Sequence, residues 1–186
     1  MMSDQPAEFA ATARLLDGRR ITLRRLGADD ADAILALHQH LSDRDRYFRF
    51  FTLNPIDLRQ LITKMTEPAQ GWYALGAFDG HRLIGVANYV VTPDDPQVAE
   101  IAATVAHENH SLGAGTALLE HLARIARTDE VKRFVADVLC VNDLMLKVLA
   151  DIGLPCTSTD YGTVRHLEIE LPDGLDEKPT IAEAIA

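Results

Sequence analysis

An apolar run, Ile101 to Ala106, enters the glycine-bearing loop His107-Glu-Asn-His-Ser-Leu-Gly113-Ala-Gly115, and an amphipathic run, Thr116 to Arg127, leaves it. That order reads as strand, tight turn and helix, and everything around it must accommodate such a unit. Glycine lets the backbone curl through conformations closed to other residues and lets a ligand approach closely. The first amides of the following helix have no intrahelical partner and point into the curl, where the helix dipole favours an anion, most often a phosphate. A plain strand-to-helix turn would use the same glycines, and the motif alone does not separate the two.

The chain has room for one globular domain around that unit: 186 residues, 47% hydrophobic and 25% charged, suffice to bury a core. No run approaches the roughly 20 apolar residues that cross a bilayer. The start, Met1-Met-Ser-Asp-Gln, lacks the basic-then-apolar order of a secretory signal. A cytoplasmic protein with no membrane partner is therefore expected. With 18 basic against 28 acidic residues, the net charge of −10 opposes nucleic acid as a partner and favours a cationic substrate or protein surface. The two cysteines, Cys140 and Cys156, show no paired spacing for a metal or a redox dithiol. No metal is expected, and both read as small core hydrophobes.

Residues 1–11 are polar or alanine-rich and expected to be poorly ordered. Asp17-Gly18, between Thr12–Leu16 and Arg19–Leu26, predicts a β-hairpin. Asp29 and Asp30 open a helix with Ile34, Leu37 and Leu41 in period, ending near His40, with His38 and His40 as surface or packing residues. Leu41 to Phe51 predicts a short helix whose aromatics chiefly close the core, with a share in a substrate groove as the sharper alternative. Pro55 opens a further helix with Leu58, Leu61, Ile62 and Met65 on one face.

From Gly71 the period changes to two. Trp72–Phe78 and Arg82–Val91 flank Asp79-Gly80 as a second hairpin, and Val98–Ala106 feeds the glycine loop. Beyond the loop come a helix striped with Leu118, Leu119, Leu122 and Ile125, a buried strand at Phe134–Leu139, and a helix from its N-cap Asn142 to Ile152. Strand, helix, strand in this order is a parallel crossover. Cys156–Asp160 and Thr163–Leu171 make a final hairpin about Tyr161-Gly162. Residues 172–186 have no periodic face and read as a mobile tail, and the chain holds no internal repeat.

Glu100 is the one carboxylate in the apolar strand before the loop. Among apolar neighbours its charged form would be disfavoured by desolvation, as suits a general base, whereas at the strand's solvent end it would be an ordinary surface acid. Position alone leaves both readings standing.

An antiparallel front half followed by a β-α-β-α back half carries Ala99-Glu100-Ile-Ala-Ala-Thr-Val105, His110-Ser-Leu-Gly113-Ala-Gly115-Thr116 and Val138-Leu-Cys-Val-Asn142-Asp-Leu-Met145. With these segments the chain resembles the GNAT superfamily of acetyl-CoA-dependent N-acetyltransferases over about residues 12–171. Leu41-Ser through Tyr47-Phe-Arg49-Phe-Phe51, and Arg133 to Leu139, look most like the catalytic domain of bacterial protein-lysine acetyltransferases, which modify metabolic enzymes such as acyl-CoA synthetases.

The resemblance implies an α/β (α+β) GNAT fold with a mixed central sheet of about seven strands, one acetyltransferase domain over residues 12–171, and acetyl-CoA as cofactor. It implies that His110 and the amides of Ser111, Leu112, Gly113, Ala114, Gly115 and Thr116 hold the pyrophosphate of coenzyme A. Thr104 and Val105 would pair with the pantetheine arm through their backbone, and Asn142, with Met145 in the same motif, would lie at the cofactor's reactive end. Glu100 falls at the general-base position. A lysine amine, with a pKa near ~10.4, must lose a proton before it attacks the thioester. An amide at or near Val105 would stabilise the oxyanion.

The chain departs from the family in two places. Leu149 stands where many members place a tyrosine that protonates the leaving thiolate, with Tyr161 or water as substitutes. His110 and Leu112 stand where Gln or Arg and another basic residue are common, and His107 is an alternative base. Neither cysteine neighbours a plausible base, which favours direct transfer over a covalent enzyme intermediate. The implied acceptor is a lysine of a metabolic enzyme; a small amine, or a non-catalytic acyl-CoA-binding sensor, are the alternatives. The protein is expected to be a monomer or homodimer.

Overall fold

In a computed structural model of the chain, which describes residues 10–52 and 56–175, the period-two segments become strands. They are β1 (Ala11–Arg14), β2 (Arg20–Arg25), β3 (Trp72–Asp79), β4 (Arg82–Val91), β5 (Val98–Val105), β6 (Arg133–Leu139), β7 (Cys156–Tyr161) and β8 (Val164–Glu170). The helices are α1 (Ala31–Gln39), α2 (Asp43–Phe50), α3 (Leu58–Thr66), α4 (Ala114–Thr128) and α5 (Asp143–Asp151). All the described strands join one mixed sheet in the order β1-β2-β3-β4-β5-β6-β8-β7, eight strands rather than about seven, because both strands of the last hairpin attach. Only β5 and β6 run parallel, joined by the crossover through α4. Every other neighbour is antiparallel.

Helices cover both faces, so β3 and β4 are buried along nearly their whole length. On one face Leu118, Leu119, Leu122 and Ile125 of α4 pack on Leu75, Ala87, Tyr89, Ile101 and Phe134. On the other, Ile34 and Leu37 of α1 and Met65 of α3 pack on Leu26, Phe78, Leu83 and Val86. Strict alternation would not put Leu83 and Val86 on one face. A register shift between Ala77 and Phe78 leaves Ile84 unpaired and turns them to the same side.

Several expectations need correction. The helix expected to open at Pro55 begins at Leu58, capped by Asp57, whose Oδ1 accepts from the Arg59 amide at 3.0 Å; Pro55 lies outside the described residues. Neither cysteine is a core residue: Cys140 is half-buried just past β6, and Cys156 is on β7, an edge strand exposed along its length. Helix α2 buries none of its residues, so its aromatics do not chiefly close the core. The expected poorly ordered start and mobile tail fall, for residues 1–9 and 176–186, outside the described residues. Pro172 to Leu175 remain engaged, with Leu175 against the core and Asp173 2.5 Å from Arg127. Among the described residues no helix is long and apolar enough to cross a membrane.

Candidate active site

Strand β5 pairs with β4 from Ala99 to Val105, but with β6 only through Val98–Arg133, Ala99–Phe134 and Glu100–Val135. Beyond Glu100 the parallel neighbours part. The edge of β5 from Ile101 to Val105 thereby faces no strand on the β6 side, and such an edge is a template for an extended ligand. A cavity of about 450 Å³ fills the gap. Its walls are Glu100 to Val105 of β5, Ala136 to Val138 of β6, Gly115 and Leu119 of α4, Asn142 to Met145 at the start of α5, and Arg44, Asp45, Phe48 and Arg49 of α2.

Glu100 lines this cavity but is exposed, between the buried Ala99 and Ile101. Of the two places the sequence left open for it, the solvent-facing one is found, because strand alternation turns it away from the core. Thr104 is 7% exposed, and its Oγ1 has no hydrogen-bond partner while lining the cavity. Val105 lines the cavity, and its carbonyl accepts from Nε2 of His110 at 2.8 Å. A carbonyl can only accept, so that nitrogen carries the ring proton and His110 is held against the strand end.

The glycine loop is a tight left-handed turn. Ser111 (φ 61°) and Gly113 (φ 92°) both have positive φ, which a side chain tolerates poorly and which accounts for the glycine. Gly113 caps α4 without any side-chain hydrogen bond, and the first backbone bond of the helix runs from Ala117 to Gly113. The amides of Ala114, Gly115 and Thr116 are therefore the unspent donors of the first turn. Gly115 lines the cavity, whereas Ser111, Leu112, Gly113, Ala114 and Thr116 do not. The Leu112 carbonyl accepts from the Leu16 amide at 3.0 Å, and its side chain packs on the core. An unpaired strand edge, a buried hydroxyl without a partner and free amides at a helix start fit a long ligand with one anionic end.

Asn142 is buried, and its Oδ1 accepts from the Met145 amide at 3.2 Å, capping α5. Both residues line the cavity. So does Leu149, while Tyr161 is 68% exposed at the end of β7 and has no part in the lining. His107 lines the cavity from an exposed position.

The groove share offered as the alternative for Leu41 to Phe51 agrees with the lining, where Arg44, Asp45, Phe48 and Arg49 of α2 stand, but sequence reasoning missed the state of Arg49. Arg49 is only half-buried by its exposed surface, but its guanidinium is enclosed closely enough that desolvation pushes its pKa down to about 10, opposed by the nearby Glu100 carboxylate, and it stays cationic at neutral pH. The mixture of arginines and aromatics between Leu41 and Phe51 was the available signal. It also missed Asp137 of β6, which lines the cavity and accepts from Nδ1 of His166 at 2.7 Å. No local pattern marks that residue, because β8 brings the histidine from the far end of the chain.

Residues 20–155 match the family described as an acetyltransferase (GNAT) domain. An acetyltransferase of Pseudomonas aeruginosa is 27% identical over 142 residues, covering 74% of this chain and 76% of that protein. The crystal structure of the GNAT domain of S. lividans PAT superposes with a TM-score of 0.80 at 28% identity, covering 90% of this chain and all, 100%, of that one. The Salmonella typhimurium protein yncA, solved with its cofactor acetyl-CoA, shares the fold at TM-score 0.67 and 16% identity, over 82% of this chain and 95% of that one. Sequence and fold lead to one conclusion: the chain belongs to the GNAT family, acetyltransferases that draw their acetyl group from acetyl-CoA.

Proposed function

We propose that the protein moves the acetyl group of acetyl-CoA directly onto the amine of a protein lysine, with Glu100 as general base. The observation that carries this reading is the place of Glu100, the only carboxylate of β5, on the cavity wall where β5 and β6 part. An exposed carboxylate there meets an acceptor coming from solvent. The Asp45, Glu100, Asp137 and Asp143 carboxylates line the same cavity and draw in a cationic amine.

Bound acetyl-CoA supplies an activated acyl thioester. The amides of Ser111 to Thr116 hold its pyrophosphate through the positive end of α4, and the His110 ring, tied to the Val105 carbonyl, borders that loop without donating to the anion. The free edge of β5 at Thr104 and Val105 takes the pantetheine arm as it would take a strand. Asn142, whose Oδ1 is committed to the α5 cap, offers its amide N–H groups toward the cavity, with Met145 beside it. Glu100 accepts the ammonium proton, directly or through a water, and frees the lone pair for attack. An amide of the β5 edge near Val105 donates to the developing oxyanion. Among the described residues no tyrosine lines the cavity. A thiol's pKa near ~8.5 makes its thiolate a workable leaving group without an enzymic acid.

The preference for a protein acceptor rests on the family resemblance of the α2 segment and β6, and on Phe51, an exposed aromatic at the cavity just past α2, with exposed Tyr47 on that helix. The test is mass spectrometry of a bacterial lysate incubated with the enzyme and isotopically labelled acetyl-CoA. Label on protein lysines, absent with Glu100→Gln, is the expected result. Label confined to small amines would overturn the lysine assignment, and binding of acetyl-CoA without any transfer would make the chain a sensor.

A further inference from the structure

We propose that Asp45, His107 and His110 form a binding site for one divalent transition ion of the zinc class, joining α2 to the exit of β5. The three residues bring ligand atoms within 4.8 Å of one another. No cysteine takes part, so cysteine spacing gave no sign of the site.

The separation of two of the ligands is informative. Oδ2 of Asp45 lies 3.5 Å from Nδ1 of His107. That oxygen is buried and has no hydrogen-bond partner, a state that is costly unless something else satisfies it. Two ligands bonded to one tetrahedral zinc at about 2.0–2.2 Å stand about 3.3–3.5 Å apart. The pair is thus already spaced as neighbours on a metal.

His110 supplies the third ligand. Its Nε2 donates to the Val105 carbonyl at 2.8 Å, which fixes the tautomer and leaves Nδ1 with its lone pair. A ring N–H held by a backbone carbonyl is the outer support that metal-binding imidazoles usually have. The His107 ring, 5.0 Å from that of His110 and largely exposed, is free to turn toward the ion.

Two imidazoles and one carboxylate suit zinc, cobalt or nickel rather than magnesium or calcium, which prefer oxygen ligands throughout. All three residues line the cavity, and with three protein ligands a tetrahedral ion keeps a fourth position for water or another ligand. The ion would anchor α2, which buries no residue of its own.

The competing account is a simple ion pair between protonated His107 and Asp45. The full chain, stripped with a chelator, is titrated with zinc chloride by calorimetry and with cobalt chloride by visible absorption. Expected are one ion per chain, the intense visible bands of four-coordinate cobalt, and a zinc-dependent rise in Tm. Asp45→Asn and His107→Ala should each weaken binding by at least about 10–100-fold, the loss that follows even from removing an outer-shell partner. His40→Ala, at an exposed histidine elsewhere, should bind as wild type. Absence of stoichiometric binding, binding that survives both substitutions, or an equal loss in His40→Ala would each overturn the site.

Discussion

Glu100 stands opposite Val135, and that is the last pair at which β5 and β6 share a register. Replacing the carboxylate by an amide leaves the backbone edge, the glycine loop and the α5 cap in place. Glu100→Gln should therefore bind acetyl-CoA as wild type by calorimetry, while kcat for acetyl transfer falls about 10²–10⁴-fold, the usual contribution of a positioned general base. Transfer at the wild-type rate would remove Glu100 from that role.

Asn142 is asked to do two things, and two substitutions separate them. Asn142→Ala loses the acceptor for the Met145 amide and should cost about 1 kcal/mol, a fall in Tm of about 2–4 °C in a thermal melt. Asn142→Asp keeps an acceptor at the cap but replaces the amide donors with oxygen. Its Tm should hold while its affinity for acetyl-CoA falls.

Gly85, on β4 behind β5, and Gly115, on the cavity wall, differ in why they are glycine. A Cβ on Gly85 would lie 3.1 Å from Leu118 Cδ1 and 3.2 Å from the Thr104 carbonyl oxygen, which cannot yield without moving β5. Gly85→Ala should lose about 1–3 kcal/mol by urea unfolding. A Cβ on Gly115 would meet Val148 Cγ2 at 3.4 Å, an ordinary contact inside a helix. Gly115→Ala should keep or gain about 0.5–1 kcal/mol of stability and yet bind acetyl-CoA more weakly, since the added methyl sits against Val148 and Val105, which line the same cavity as Gly115.

His38 ties stability to pH. It is buried in α1 near Phe50, with Nδ1 2.8 Å from the Ile34 carbonyl oxygen. Burial, helped by the Arg49 cation, pushes its pKa below the ordinary histidine value. Because the folded value is the lower one, stability is fully present above the unfolded value near ~6.5 and lost as pH falls through the folded value. Between about pH 7 and about pH 5, wild type should lose more stability than His38→Gln, by up to about 1.4 kcal/mol per pH unit, in urea titrations. Parallel loss in both proteins would assign the acid sensitivity elsewhere.

What could be read from residues alone followed distance along the chain. Period-two runs and the Asp-Gly turns located the hairpins, and Gly113 with the stripe from Leu118 to Ile125 located α4. These signals are local. The meeting of α2 with Glu100, the pairing of His166 with Asp137 and the convergence of Asp45 on two histidines depend on tertiary placement, which periodicity does not encode. Glu100 shows the limit most plainly: its apolar neighbours left burial and exposure equally open, and alternation sends those neighbours inward and the carboxylate out. Cys156 was misplaced for a related reason, because a small apolar residue says nothing about whether its strand ends up at an edge.

The parting of β5 and β6 also bears on how the molecule comes together. Strands β1 to β5 pair in chain order, with tight turns joining β1 to β2, β3 to β4 and β4 to β5, while β2 meets β3 across the segment that carries α1 to α3. The back half meets it through a seam of three residue pairs beside the α4 contacts. That seam is a natural boundary between cooperative units, and amides of β6 should exchange with deuterium sooner than those of β4, which is paired on both sides. A ligand lying in the gap would bridge both units, so filling the cleft would slow exchange on both sides of it, including at backbone positions the ligand never touches.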